Sequence, residues 1–236
     1  MTFSIVAFDP KDRSCGVAVA SKFPGVGAVV PWARANAGAV ATQSFANTSY
    51  GPNGLDLMAK GLSAQQALDK LPADDPERDL RQVGLVDENG GSASFTGPGC
   101  FAWAGGLIGP GYACQGNVLA GEQVVNALEQ TFLQTSGDLP SRLHAALLAA
   151  DRTGGDRRGR QSAAIYIVKD GGGSAGVNDR WMDYRVDDHE DPVLRLGELI
   201  EMHRLYFDKN DASSRVTLTG EPLAEMTGIL KRLGYL

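Results

Sequence analysis

The chain has 236 residues, 43% hydrophobic and 21% charged, enough to fill one large core and too ordinary for a disordered, collagenous or disulfide-stapled protein. A net charge of −6 removes the long-range attraction that nucleic acid or an anionic membrane surface requires, so neither is an expected partner. The 30 glycines are nearly double the usual share of about 7% and predict many tight turns between short strands.

Phe3 to Phe8 and Gly16 to Ala20 read as two strands joined at Asp9-Pro10-Lys11-Asp12-Arg13, a hairpin. Asp9 breaks the first apolar run far short of the roughly 20 residues of a membrane span, and no basic segment precedes it. Cys15, Cys100 and Cys114 are odd in number and form no CxxC pair, the usage of buried thiols in a reducing compartment, so a cytoplasmic location is expected.

Val26 to Trp32 and Gly38 to Ser44 predict a second hairpin. Leu55, Met58 and Leu62 then fall at helical spacing, and Ser63 with Gln66 forms a capping box ahead of Ala67, Leu68 and Leu71, giving two consecutive helices. Strands return at Gln82–Asp87 and Ser92–Thr96, and Asn89-Gly90 between them predicts a type I′ turn. Gly105 to Gly111 reads as a loop that fits neither the dinucleotide nor the P-loop pattern, and Tyr112 to Val118 as a strand.

A second helix pair follows, with Val124, Leu128 and Phe132 on one stripe and Leu139, Leu143, Leu147 and Ala150 on the other. Ser162 to Val168 is a strand whose continuous apolar run predicts a sheet covered on both faces. Beyond a glycine-rich loop at 171–176, Asp191-Pro192 opens a helix, a polar stretch runs from Lys209 to Ser214, and a last helix spans about Pro222 to Leu233. Hairpins alternating with helix pairs predict an α+β fold in which two sheets pack face to face, each covered outside by helices: a four-layer αββα sandwich over residues 1–190, with a helical extension over 191–236.

Thr2 is the most pointed candidate for chemistry. Removal of Met1 would expose a residue carrying both a hydroxyl and an α-amine of pKa about 7.7 to 8.0, nucleophile and base in one. Position alone favours the plainer reading, in which Thr2 merely starts a strand. No GxSxG elbow competes for the role.

Thr2-Phe3-Ser4-Ile5-Val6-Ala7, Val26 to Ala33, Gly38 to Ser44, Ser49-Tyr50-Gly51-Pro52, Gly155 to Ala163 and Arg185-Val186-Asp187-Asp188-His189 together resemble an uncharacterised bacterial family. This is domain-of-unknown-function family 1028, placed in the N-terminal-nucleophile hydrolase superfamily, and the resemblance covers about residues 2 to 195. It implies the four-layer sandwich and Thr2 as nucleophile, with Asp9, Ser21 and Lys22 as neighbours near the start of the sheet. It implies no established activity, and the lysine and acid of proteasome-type members have no counterpart at Val30 to Arg34 or Ser21-Lys22.

Gln43, Ser44, Asn47, Gln115 and Asn117 lie at or after strand ends, where they could line a polar pocket, with Asn117 as an oxyanion donor; each could equally cap loop backbone. Arg160, with Arg157 and Arg158 in the same loop, offers a fork for a substrate carboxylate, against pairing with Asp151 or Asp156. Asp187 to Glu190 is the one dense acid and histidine run, and helix capping before Pro192 accounts for it better than a metal. The expectation is therefore an amidohydrolase of a small amide or peptide that needs no cofactor or metal. A catalytically inactive binding protein, or a homo-oligomeric assembly protein, is the alternative.

Overall fold

Short strands rich in Val and Ala pair antiparallel throughout. The first sheet takes β1 (Thr2–Asp9), β2 (Ser14–Ser21), β7 (Gly105–Gly109), β8 (Tyr112–Asn117), β9 (Ser162–Val168) and β10 (Arg180–Val186), ordered β10-β9-β2-β1-β8-β7. The second takes β3 (Pro31–Arg34), β4 (Gly38–Ser44), β5 (Arg81–Asp87) and β6 (Ser92–Thr96), in that order. The computed structural model describes residues 2–208 and 216–236. Met1 and the polar stretch 209–214 lie outside the described residues.

The helix pair α3 (Gln123–Gln134) and α4 (Leu139–Arg152) packs on Phe3, Ile5 and Ala7, one face of β1. Period-2 alternation sends Val6 and Phe8 to the other face, where they meet Val17 and Val19 of β2 and Ala39, Ala41 and Val86 of the second sheet. The pair α1 (Tyr50–Ala59) and α2 (Ala64–Lys70) lies on Val40, Val83 and Leu85, the far side of that second sheet. The result is an α+β chain with two antiparallel sheets and six α-helices among the described residues. It divides into two compact units, Met1–Met202 and His203–Leu236. Helix α5 (Pro192–Phe207) spans the division, and the second unit holds α6 (Gly220–Arg232).

The capping box of α2 forms as expected: Gln66 N donates to Ser63 Oγ and Ser63 N to Gln66 Oε1. Three local expectations are corrected and one further strand is added. Val26–Ala28 is a 3-10 turn rather than strand, because Gly25 is left-handed and Ser162 Oγ captures Val26 N at 3.1 Å, so β3 begins only at Pro31. Gly105–Gly109 is an edge strand rather than loop, carried by pairing to β8 and not by any side-chain pattern. Edge strand β10, with its charged RWMDYRV sequence, gives no apolar run to read.

The β5–β6 turn, the third correction, is not type I′. Gly90 has φ +79 but Asn89 is not left-handed. Gly90 N donates to Asp87 O, Asp87 N to Gly91 O, and the Asp87 carboxylate accepts from Asn89 N and Gly91 N, a three-residue loop closing on a left-handed glycine. Among the described residues no helix is long and apolar enough to cross a membrane.

Candidate functional site

Thr2 is the first residue of an interior strand, 4% exposed, with Asn117 as its Cα partner on β8. Strand register continues the row: Ser21 of β2 follows Ala20, the partner of Phe3, and Ser162 of β9 pairs with Ser21. Asn117, Thr2, Ser21 and Ser162 thus cross four neighbouring strands at one end of the sheet, all buried. The Thr2 hydroxyl donates to Ser21 Oγ at 3.2 Å.

One row inward, Ser4 Oγ donates to Gln43 Oε1 at 2.6 Å and accepts from Gln115 Nε2 at 2.7 Å. Gln43 Nε2 donates to the Thr2 carbonyl at 3.4 Å and to Gln82 Oε1 at 2.8 Å. Gln82 Oε1 also accepts from Asn117 Nδ2 at 2.8 Å, and its Nε2 reaches Gly116 O, Thr96 Oγ1 and Gly105 O at 2.8, 2.9 and 3.2 Å. A connected amide and hydroxyl cluster therefore bridges the two sheets behind Thr2. Burial makes such groups costly unless paired, and the cluster pairs nearly all of them. Gln115 Oε1 is the exception, buried without a partner among the described residues. It lies over Gly84, where a Cβ would come within 2.0 Å of it, so glycine is required for Gln115 to enter the layer.

A cavity of about 510 Å³ opens where β6 and β7 diverge, lined by Ser94, Thr96, Cys100, Gly105, Gly106 and Ile108 among others. Gln82 joins it to the cluster through Thr96 and Gly105. The buried thiols offer no rival nucleophile: burial pushes Cys15 up to about 12 and Cys114 well above the usual thiol range.

The description of a family of unknown function, DUF1028, fits residues 2–196 of this chain. The chain belongs to the DUF1028 family. Among solved structures it is similar to protein SPO2555 from Silicibacter pomeroyi, a DUF1028 crystal structure, at 28% identity and a TM-score of 0.79. That similarity covers 90% of this chain and 88% of the other. A search of curated proteins gives no match.

In this DUF1028 chain the fold brings Thr2, Ser21, Gln43, Gln115 and Asn117 together, and leaves other candidates elsewhere. Lys22 lies at the surface: its backbone N–H donates to Asp156 at 2.8 Å and its ammonium to the Arg160 carbonyl at 3.2 Å. Asp9 stands at the opposite end of β1, about 24 Å from Thr2 at the rise of an extended strand. Asn47 serves the loop after β4, donating to Asp75 at 3.0 Å, and Ser44 supplies a left-handed bend with φ +70 at the end of that strand. Arg160 turns its Nε to both oxygens of Asp151, at 2.9 and 2.8 Å, an ion pair within the protein.

Asp188 accepts from Gln161, His189 Nδ1 from Asp191 N, and Asp191 Oδ1 from Leu194 N at the start of α5. Ser4, Gln82 and Ser162 were not singled out from sequence. The alternation Thr2, Ser4 against Phe3, Ile5 does put both polar residues on one strand face, and that signal was readable. The role of Gln82 depends on the second sheet lying opposite, which no local pattern encodes.

Proposed function

We propose that this DUF1028 protein has the four-layer αββα fold of N-terminal-nucleophile hydrolases and hydrolyses a small amide or peptide through Thr2, once residue 1 is removed. The observation that carries the reading is the placement of Thr2. It opens an interior strand with its hydroxyl on the face between the sheets, at the polar end of that layer, bonded to Ser21. The packing of helix pairs on the outer face of each sheet supports the fold assignment.

In this reading Oγ1 of Thr2 gives its proton to the Thr2 α-amine, directly or through a water, and forms a bond to the amide carbonyl carbon. The negative charge moves to the carbonyl oxygen. An Asn117 amide N–H not donated to Gln82 stabilises it together with backbone N–H groups. The proton passes from the α-ammonium to the leaving nitrogen as the C–N bond breaks, leaving an ester on Thr2. Water, deprotonated by the α-amine, attacks that ester, releases the acid and restores the hydroxyl. Ser21 orients the Thr2 hydroxyl, and Gln43 fixes the backbone carbonyl behind it.

The test joins intact mass to turnover. Protein lacking residue 1 is expected to hydrolyse members of a panel of N-acylated amides and dipeptides. Thr2→Ala is expected to abolish this, and Thr2→Ser to retain part of it. Equal turnover by Thr2→Ala rejects the reading, and protein without residue 1 that binds the panel without turnover supports the non-catalytic alternative.

A further inference from the structure

The loop that closes the Thr2 end of the first sheet carries an exposed arginine, Arg157, that its neighbouring carboxylates do not pair. The Asp156 carboxylate, 1% exposed, accepts from Lys22 N at 2.8 Å and from Arg158 through its backbone N, Nε and Nη2, at 3.0, 3.1 and 2.9 Å. Its backbone bridges Leu119, while Arg157 N donates to Val118 O at 3.2 Å and Ala120 N to Gly155 O at 3.1 Å. The loop is thereby fastened just past β2 on one side of β1 and just past β8 on the other. Gly155, at φ +45, lies against Phe3 so closely that a Cβ would meet its ring at 3.1 Å. This is a built segment, and it fixes where its arginines start.

Arg158 pairs with Asp156 and Arg160 with Asp151, and Lys22 joins them through the Arg160 carbonyl. Arg157 is exposed and makes no ion pair or side-chain hydrogen bond among the described residues. Arg152 joins the network through Asp151 and Asp191, so among these five cations Arg157 alone has no partner for its side chain among the described residues. Asp188, bonded to Gln161, and Asp191, paired with Arg152, lie on the Arg160 side of the loop, and neither is bonded to Arg157. Arg157 is bonded through its backbone N–H to the carbonyl of Val118, the residue after Asn117, which is the strand partner of Thr2.

We propose that Arg157, rather than Arg160, anchors a carboxylate on the substrate, so that this protein acts on amides bearing an anionic group close to the scissile bond. The inference rests on the amidohydrolase reading for its chemistry, but its test reads binding. A guanidinium presents two parallel N–H donors that match a carboxylate and gain little from a neutral amide.

The probes are N-acetyl-dialanine with a free carboxylate and the same compound as its C-terminal amide. Both are titrated calorimetrically at low salt into full-chain protein and into Thr2→Ala, in which nothing is consumed. The free acid is expected to bind about tenfold or more tightly than the amide, the preference shrinking with added salt, and Arg157→Gln is expected to erase it. Arg157→Gln lies on the surface and its folding is checked by its unfolding midpoint.

A preference that survives Arg157→Gln but disappears in Arg160→Lys overturns the assignment, as do equal affinities of the two probes for the wild type or no binding of either. An Arg157-dependent preference without turnover of either probe keeps the anchor and counts against the hydrolase. Turnover of both probes alike, unchanged in Arg157→Gln, keeps the hydrolase and ends the anchor.

Discussion

The layer between the two sheets has two ends built on opposite principles. At one end Val6, Phe8, Val17, Ala39 and Val86 meet as an apolar core. At the other, the same strands present Ser4, Ser21, Gln43 and Gln82, and the contact is made of hydrogen bonds. β1 crosses from one regime to the other within eight residues. The apolar end depends on non-directional burial and tolerates small adjustments of shape. The polar end depends on partners in fixed positions, a rigid but unforgiving arrangement, and a buried hydroxyl such as that of Thr2 can be held in one orientation there.

The sharpest way to break the comparison is to remove one group from each end. Gln82→Ala leaves the Gln43 and Asn117 amides without their shared acceptor and two backbone carbonyls without their donor. At about 1–3 kcal/mol per stranded buried group, partly relieved by water, a loss of about 4 kcal/mol is expected. Val17→Ala removes two methyl groups from the apolar end and is expected to cost about 2 kcal/mol. Urea unfolding of the two variants measures both. Equal costs, or a cheaper Gln82→Ala, would show that the polar cluster contributes nothing beyond its volume.

Much of the apolar end was legible in the sequence because burial writes itself into period and composition. The β1–β2 hairpin, both helix pairs and the capping box of α2 each follow from residues within one turn or one strand of each other. The polar end was legible only in part. Thr2 stood out by its place behind Met1, and Gln43, Gln115 and Asn117 as polar residues at or after strand ends, but what joins them is Gln82, contributed by the opposite sheet. Arg160 was a reasonable anchor by residue type; its pairing with Asp151 depends on how α4 ends relative to the loop, a tertiary fact.

A second, smaller effect concerns what holds the rim of the polar end. The Arg81 guanidinium holds the Asp75 carboxyl well below the usual carboxylate range, with Asn47 and Tyr50 as further donors, and Arg81 also binds the Phe45 carbonyl after β4. A carboxyl whose folded pKa is depressed contributes stability that is complete above its unfolded value, about 3.9, and is lost as pH falls toward the folded one. Asp75→Asn is therefore expected to cost about 2 kcal/mol at pH 7. The gap from wild type should narrow progressively below about pH 4, where the unfolded chain binds the proton first. A gap that stays constant from pH 7 down to pH 3 would remove the ion pair as its cause.

The smallest expected effect lies at the apolar end, where the β5–β6 turn closes over Phe8. Gly90 O accepts from Gly111 N, and Gly111 O from Phe8 N, so the turn is tied into the sheet contact through two backbone bonds. Gly90, at φ +79, occupies a conformation that costs an L residue about 1–2 kcal/mol, and Gly90→Ala is expected to lose about that much. Replacing Asn89 by alanine would carry a similar penalty in a type I′ turn, where both central residues are left-handed. Here Asn89 is not left-handed, and its backbone N–H is held by the Asp87 carboxylate whatever its side chain. Asn89→Ala is accordingly expected to change stability by less than about 0.5 kcal/mol, within the range of surface substitutions. A loss as large as that of Gly90→Ala would restore the type I′ turn and place the Asp87 carboxylate in a lesser role, whereas a near-neutral result ties the closure of the apolar end to Gly90 and Asp87.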